Sequence, residues 1–303
     1  MKPTRKPFPW HIVVFLAPAL LIYTAFMIFP LVDSLRLSLF APNSAGQEVF
    51  VGLSNYTRLF TDELWAPRLW GALRNNFVFF LIHMLVQNPI ALFLASLLSS
   101  RFIRGRSIYR TLIFTPTVLS VVLIGFIWKL ILSPLWGRSL FQPLGINPGP
   151  LLGLPETALP AISLISVWQW VGVPMMLFLA ALIGISDEII EAARVDGATG
   201  WDVFWRIKLP LIMPTVGIVA VLTFVGNFNA FDLVYTMQGA LASPEFSTDL
   251  LGTLFYRTFF GFQLQLGSPT MGATVAGVMF LIILAGVLFY LYVFQRRLLR
   301  VEN

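Results

Sequence analysis

Six long apolar runs alternate with polar stretches along the 303 residues, and each run reaches the ~20 residues needed to cross a hydrocarbon core. They fall at about 11–40, 75–99, 111–132, 158–183, 214–235 and 271–294, after a short basic leader at 1–10, MKPTRKPFPW. The first run is longer than the ~7–15 residues of a signal-peptide core and lacks a clean small-residue cleavage site, so it is expected to remain as a span. Pro18 and Pro30 are expected to bend it and Pro89 to break the second run, which helices packed among neighbours tolerate. The pattern predicts an all-α integral membrane protein, with six transmembrane helices filling 11–303.

One polar, tightly punctuated segment joins the fourth and fifth runs, at 184–213. Ser186 followed by Asp187 and Glu188 predicts a helix start, a hydroxyl cap with acidic residues at the positive end of the dipole. Asp196 and Gly197 should stop that helix, because Gly tolerates the left-handed conformation of a helix end. Thr199 and Asp202 have capping-box spacing, Trp201, Phe204 and Trp205 recur at helical intervals, and Pro210 is expected to end the second helix. The prediction is therefore two short helices meeting at a Gly corner. Small Ala192, Ala193 and Ala198 flank that corner, where the backbone of another chain can come close.

Composition supports the membrane assignment. With 57% hydrophobic and 11% charged residues and a mean hydropathy of +0.82, a soluble fold would have more apolar surface than it could bury. There are no cysteines and only two histidines, His11 and His83, so the residues offer no ready metal centre. The net charge of +6 comes from basic residues scattered at the ends of runs, which argues against nucleic acid and reports topology instead. With the N-terminus inside, Lys2, Arg5, Lys6, Arg101, Arg104, Arg106, Arg110, Arg194, Arg206, Lys208, Arg296, Arg297 and Arg300 all fall on the cytoplasmic side. Arg36, Arg58, Arg68, Arg74, Lys129, Arg138 and Arg257 are spread over the outer segments. Both termini and the 184–213 segment are thus expected in the cytoplasm.

Candidate chemistry is sparse. No GxxxxGK[ST] phosphate loop occurs, so ATP hydrolysis by that route would need another subunit. Polar groups inside apolar runs are costly and therefore informative. The fifth run carries GNFNAFD from Gly226 to Asp232. At helical spacing Asn229 and Asp232 share a face and Asn227 points nearly the other way, with Asn229 about 22 Å along the helix from Pro214. The fourth run adds Trp168, Gln169 and Trp170, and Phe231 lies beside the fifth-run polar pair. Aromatic faces with amides and carboxylates are what a carbohydrate path needs. The same residues also suit inter-helix hydrogen bonds and an interfacial aromatic belt, and both readings stay open. No inverted repeat between the halves and no matching pair of broken spans is visible, which weighs against an ion-coupled secondary transporter. A membrane-embedded enzyme ranks lower still, for want of paired acidic motifs or a His cluster.

The 184–213 segment resembles the EAA loop of binding-protein-dependent ABC import permeases, through Glu191, Ala192, Ala193, Asp196, Gly197, Ala198, Phe204, Ile207, Leu209, Pro210 and Pro214. Further landmarks are similar to the maltose and glycerol-3-phosphate permease group. They are Pro18-Ala19-Leu20, Pro30, Gly52, Leu53, Asn55, Tyr56, Arg104-Gly105-Arg106, Arg110 to Pro116, Trp128, Trp168 to Trp170, Asn229, Phe231 and Asp232. The resemblance implies a type I importer permease in a bacterial or archaeal cytoplasmic membrane, with its EAA segment coupled to ATPases. It also implies a second homologous permease, two ATP-binding subunits that hold ATP and Mg, and an extracytoplasmic solute-binding protein. This chain would bind no cofactor of its own and would move a carbohydrate or polyol, or alternatively a non-sugar solute such as a polyamine or phosphate ester. After the fifth run the group shows a Thr-Gly-Gly-Gly-Pro-like turn, whereas this chain has Met237 to Leu241 with Pro244 displaced.

Overall fold

The protein is described by a computed structural model over residues 10–100, 103–144, 149–263 and 266–295. The leader expected at 1–10, apart from Trp10, lies outside the described residues, as do Arg101, Arg296, Arg297 and Arg300. Among the described residues three helices are long and apolar enough to cross a membrane, and up to six spans result if each bent pair counts as one. In chain order the helices are α1 (Ile12–Leu37), α2 (Ser54–Thr61), α3 (Trp65–Ser99), α4 (Arg106–Val118), α5 (Val121–Ile131), α6 (Pro134–Phe141) and α7 (Pro155–Trp170). They continue with α8 (Gly172–Ile183), α9 (Asp187–Val195), α10 (Gly200–Leu211), α11 (Met213–Phe228), α12 (Asp232–Gln238), α13 (Leu251–Phe260) and α14 (Pro269–Val293).

The expected unbroken third, fourth and fifth runs are corrected. The chain turns by 94° between α4 and α5 and by 44° between α7 and α8, inside the third and fourth runs, while a 66° turn between α10 and α11 falls just before the expected start of the fifth. The fifth run stops at Phe228 rather than near 235, because the backbone leaves helical geometry before restarting at Asp232. At the α7–α8 bend the fourth run touches the third backbone to backbone. A Cβ on Gly172 would stand 2.9 Å from the Phe114 Cα, so only glycine allows that approach.

Pro89 does not break the second run, which is one 35-residue helix starting about ten residues earlier than expected. A widened π turn, His83–Gln87, comes just before it. The same arrangement recurs with Thr24–Ile28 before Pro30 and Val203–Lys208 before Pro210. A proline lacks the N–H that the preceding turn would use and crowds a carbonyl there, and the wider turn absorbs both without ending the helix. α10 ends at Leu211, one residue past Pro210, close to the expected stop.

Nor is the chain wholly α-helical. A small antiparallel hairpin, β1 (Phe40–Pro42) with β2 (Glu48–Phe50), pairs Phe40 with Phe50. Asn43 closes its turn by accepting from the amides of Ala45 and Gln47 at 3.0 and 2.9 Å. Asn55 on α2 pins it by donating to the carbonyls of Ser38 and Phe40.

The core falls into three clusters. Phe79, Ile124, Ile162 and Val234 join α3, α5, α7 and α12. Leu59, Leu69, Leu254 and Val275 join α2, α3, α13 and α14. Ala95, Phe178, Ile212 and Val219 join the end of α3 to α8 and α11. The stretch entering α13 is held by a buried ion pair. The Arg257 guanidinium, 1% exposed, lies 2.6 Å from the Asp249 carboxylate. Arg257 also donates to the Ala240 carbonyl at 2.7 Å, and the Thr253 hydroxyl donates to Asp249 at 2.6 Å.

Candidate functional site

The segment between α8 and α11 forms the expected helix, corner and second helix. α9 begins after Ser186, whose backbone is extended as a cap requires, though its hydroxyl makes no cap hydrogen bond. Gly197, at φ +86°, closes α9. The Ala198 amide donates to the Ala193 carbonyl at 2.9 Å and the Gly197 amide to Arg194 at 3.0 Å, the paired bonds of a Schellman end. An added Cβ at Gly197 would meet nothing within 4 Å, so backbone conformation rather than space demands glycine there. The second cap follows at once. The Asp202 amide donates to the Thr199 hydroxyl at 3.3 Å and the Thr199 amide returns a bond to the Asp202 carboxylate at 3.2 Å. Hydrogen bonds from the Thr199 hydroxyl and amide hold the Asp202 carboxyl below its ordinary pKa.

These caps leave the outer face of the corner to solvent. Glu191, Ala192, Asp196 and Gly197 are exposed, as is Pro210, while Ala193, Ala198, Ile207 and Leu209 are half-buried. Val195 is 87% exposed and Trp201 73%, and the Trp201 ring lies tilted at 59° to that of Trp205 with centroids 5.4 Å apart. The inner face is fixed. Val203 and Ile212 are buried, and Leu209 packs with Ile212 against Phe178 and Leu182 of α8. The corner is therefore a rigid knuckle fastened to the two helices it joins, with bare apolar side chains outside.

Of the residues singled out for a solute path, Trp170, Asn227, Asn229, Phe231 and Asp232 line one cavity of about 360 Å³. Trp168 and Gln169 do not border it. Trp168 lies edge-on to Trp128, centroids 5.7 Å apart. Gln169 is fully buried, its amide 3.4 Å from the Leu119 carbonyl and its backbone carbonyl accepting from Thr117 at 3.0 Å, which ties the third run's bend to α7. Asn229 and Asp232 do not share one helix face as expected. They meet at the cavity because the helix breaks between them, Asn229 ending α11 and Phe231 turning at φ −148°, ψ −57°. Asn229 and Phe231 also border a second cavity, of about 530 Å³, walled by Tyr256 and Phe280.

Sequence reasoning missed His83, Gln87, Ser166 and Thr223, which line the first cavity. The available signal was the pair of polar residues four apart in an otherwise apolar run, at His83 and Gln87. His83 Nδ1 lies 2.8 Å from the Phe79 carbonyl and Nε2 3.0 Å from the Ser166 hydroxyl. Other polar clips bind α3 to its neighbours. The Asn76 amide donates to the Asn227 carbonyl at 2.9 Å and accepts from the Leu251 amide at 2.7 Å, and Asn88 bonds Thr223 at 3.2 Å.

Comparison with known proteins gives a consistent result. The family model described as "Binding-protein-dependent transport system inner membrane component" matches residues 87–301. The lactose transport system permease protein LacF of Rhizobium radiobacter is 31% identical over 288 residues, covering 94% of this chain and 93% of that one. The arabinooligosaccharides transport system permease protein AraP of Bacillus subtilis is 28% identical over 284 residues, covering 93% and 86%. Among solved structures, a chain of a bacterial ABC transporter involved in the import of the acidic polysaccharide alginate superposes with a TM-score of 0.80 at 22% identity, over 95% of this chain and 96% of that one.

Proposed function

The chain belongs to the family of binding-protein-dependent transport system inner membrane components, and from that premise we propose that it is the permease of an ATP-driven importer carrying a carbohydrate or polyol. The named cargoes of its relatives support this reading: lactose, arabinooligosaccharides and, for a further permease 32% identical over 260 residues, alpha-glucosides. Six crossings follow if each bent pair serves as one span, and the charge distribution supports a cytoplasmic position for both termini and the 184–213 segment. The partners are a second permease, two ATP-binding subunits and a solute-binding protein on the outer face. The last is also a component of a solved alginate transporter complex that shares this fold.

The observation that carries the mechanism is the knuckle around Gly197. Two abutting caps make it stiff, Leu209 and Ile212 fasten it to α8 and α11, and Val195 and Trp201 stand ready to be covered. ATPase closure would push on Glu191, Ala192 and the corner and tilt α8 against α11, exchanging outward for inward access at the cavity those helices border. The test is uptake by the assembled complex in proteoliposomes. Neutral sugar should accumulate only with ATP inside and the binding protein outside. Uptake by this chain alone on a proton or sodium gradient would contradict the proposal.

A further inference from the structure

The second, third and fourth runs each change core partway along, and each change falls where the helix is interrupted. In the second run Phe79 lies in the cluster with α5, α7 and α12, whereas Ala91, Ala95 and Leu98 lie in the one around α8, with the π turn His83–Gln87 between them. In the third run Ile124 and Leu132 of α5 belong to the first cluster and Ile113 of α4 packs against the second, across the 94° turn. The fourth run places Leu159, Ile162 and Ile165 of α7 in the first and Met175, Phe178 and Leu182 of α8 in the second, across the 44° turn. The cavity of about 360 Å³ borders both cores, lined by Phe79, Val121 and Leu233 of one and by Leu177 and Val219 of the other. α11 sends Val219 into the cluster around α8 and Phe228 into the one around α14, so it is a wall beside α8 and not part of a single unit with it.

Close-packed cores deform little, whereas helices bend at breaks and π bulges. The two sharp turns also touch each other. A Cβ on Gly172 would stand 2.9 Å from the Phe114 Cα and 3.0 Å from the Ile113 carbonyl oxygen, and the Thr117 hydroxyl donates to the Gln169 carbonyl at 3.0 Å. Backbone resting on backbone, with no side chain between, can pivot without repacking a core. We propose that these interruptions form one hinge layer. α4, α8 and the end of α3, joined to the knuckle through α8, swing as a unit against an outer unit of α5, α7 and α12. The outer unit includes Leu250, next to the Asp249–Arg257 pair, and so is anchored to the fixed part of the chain. The inference rests on the reading of the chain as an ATP-driven importer's permease, and adds that its spans bend at fixed points instead of turning as whole helices.

The chain has no cysteine, so pairs of spin labels can be set at exposed Ile108, Leu130, Leu154 and Ile183 through double variants such as Ile108→Cys with Leu130→Cys. Distances are measured by electron paramagnetic resonance in the assembled complex in nanodiscs, without nucleotide and then with a non-hydrolysable ATP analogue and the binding protein. A tilt of about 15° would carry the far end of α8, ~18 Å long, through roughly 5 Å. The pairs 108–130 and 154–183, which straddle the turns, should shift by an amount of that order. The pairs 108–183 and 130–154, each within one unit, should stay constant. Where a label stops uptake, Leu112 replaces Ile108 and Leu123 replaces Leu130, both also exposed. Any other pattern in a complex that still takes up sugar on ATP overturns the hinge: constant straddling distances mean whole helices turning rigidly, and shifting distances within a unit mean that it is not one body. Absence of ATP-driven uptake in the unlabelled wild type removes the importer reading itself, whatever the distances.

Discussion

The knuckle from Ser186 to Ile212 and the stretch from Gly239 to Phe260 both return the chain into helices, yet they keep their shape by opposite means. The first is held by backbone bonds within five residues of each other and shows its apolar side chains to the surroundings. The second is gathered around a buried Asp249–Arg257 pair that reaches back to the Ala240 carbonyl. Local caps let a unit move as one body without exposing anything new, whereas a buried charge pair cannot shift without stranding a charge. The contrast fits a moving coupling element in one case and a fixed frame in the other.

The largest effect is expected in the frame. Arg257→Leu strands the Asp249 carboxylate in the interior and should cost about 3–5 kcal/mol of stability, read by thermal unfolding of the complex, with Asp249→Leu recovering much of it. Burial already pushes the Asp249 carboxyl up against the opposing pull of Arg257. Without Arg257 it rises further, and the protonated form is cheaper to bury. A carboxyl raised in the folded state gains stability as pH falls, so the deficit should be smaller at mildly acid than at alkaline pH. An equal deficit at both would mean that charge is not what holds this stretch.

A smaller stability loss is expected in the knuckle. Gly197→Val forces a branched side chain to φ +86°, a strain of about 1–3 kcal/mol. It should abolish ATP-driven uptake while the protein still inserts, and normal uptake by the variant would break the proposed link between rigidity and coupling. Thr199→Ala removes only the capping box and should cost about 1 kcal/mol, with uptake reduced rather than lost. If it instead matched Arg257→Leu in thermal unfolding, the contrast between local and buried support would fail.

What the sequence made legible follows the same division. Cap residues act within four positions of themselves, so the corner at Gly197 and the Thr199–Asp202 box could be read directly from 184–213. The six apolar runs were equally plain. The breaks were not, because a run interrupted at Leu119, Val171 or Ala230 has the same apolar composition as one that continues. Pro89 misled in the other direction, since a π turn upstream let its helix go on. Trp168 and Trp170 look like a cluster in the string, but positions two apart on a helix face nearly opposite ways, and only Trp170 reaches the cavity. His83 and Ser166 meet across 83 residues, a pairing with no local trace.

The absence of cysteine from the chain gives one direct test of the central claim, that the corner at Gly197 is gripped by an ATPase in the cytoplasm. Val195→Cys, at an 87% exposed position, would carry a single thiol to be challenged with a membrane-impermeant maleimide in vesicles of either orientation. The account predicts labelling only in inside-out vesicles, and protection once the ATP-binding subunits are assembled. Labelling from the outer face, or full labelling in the assembled complex, would contradict it.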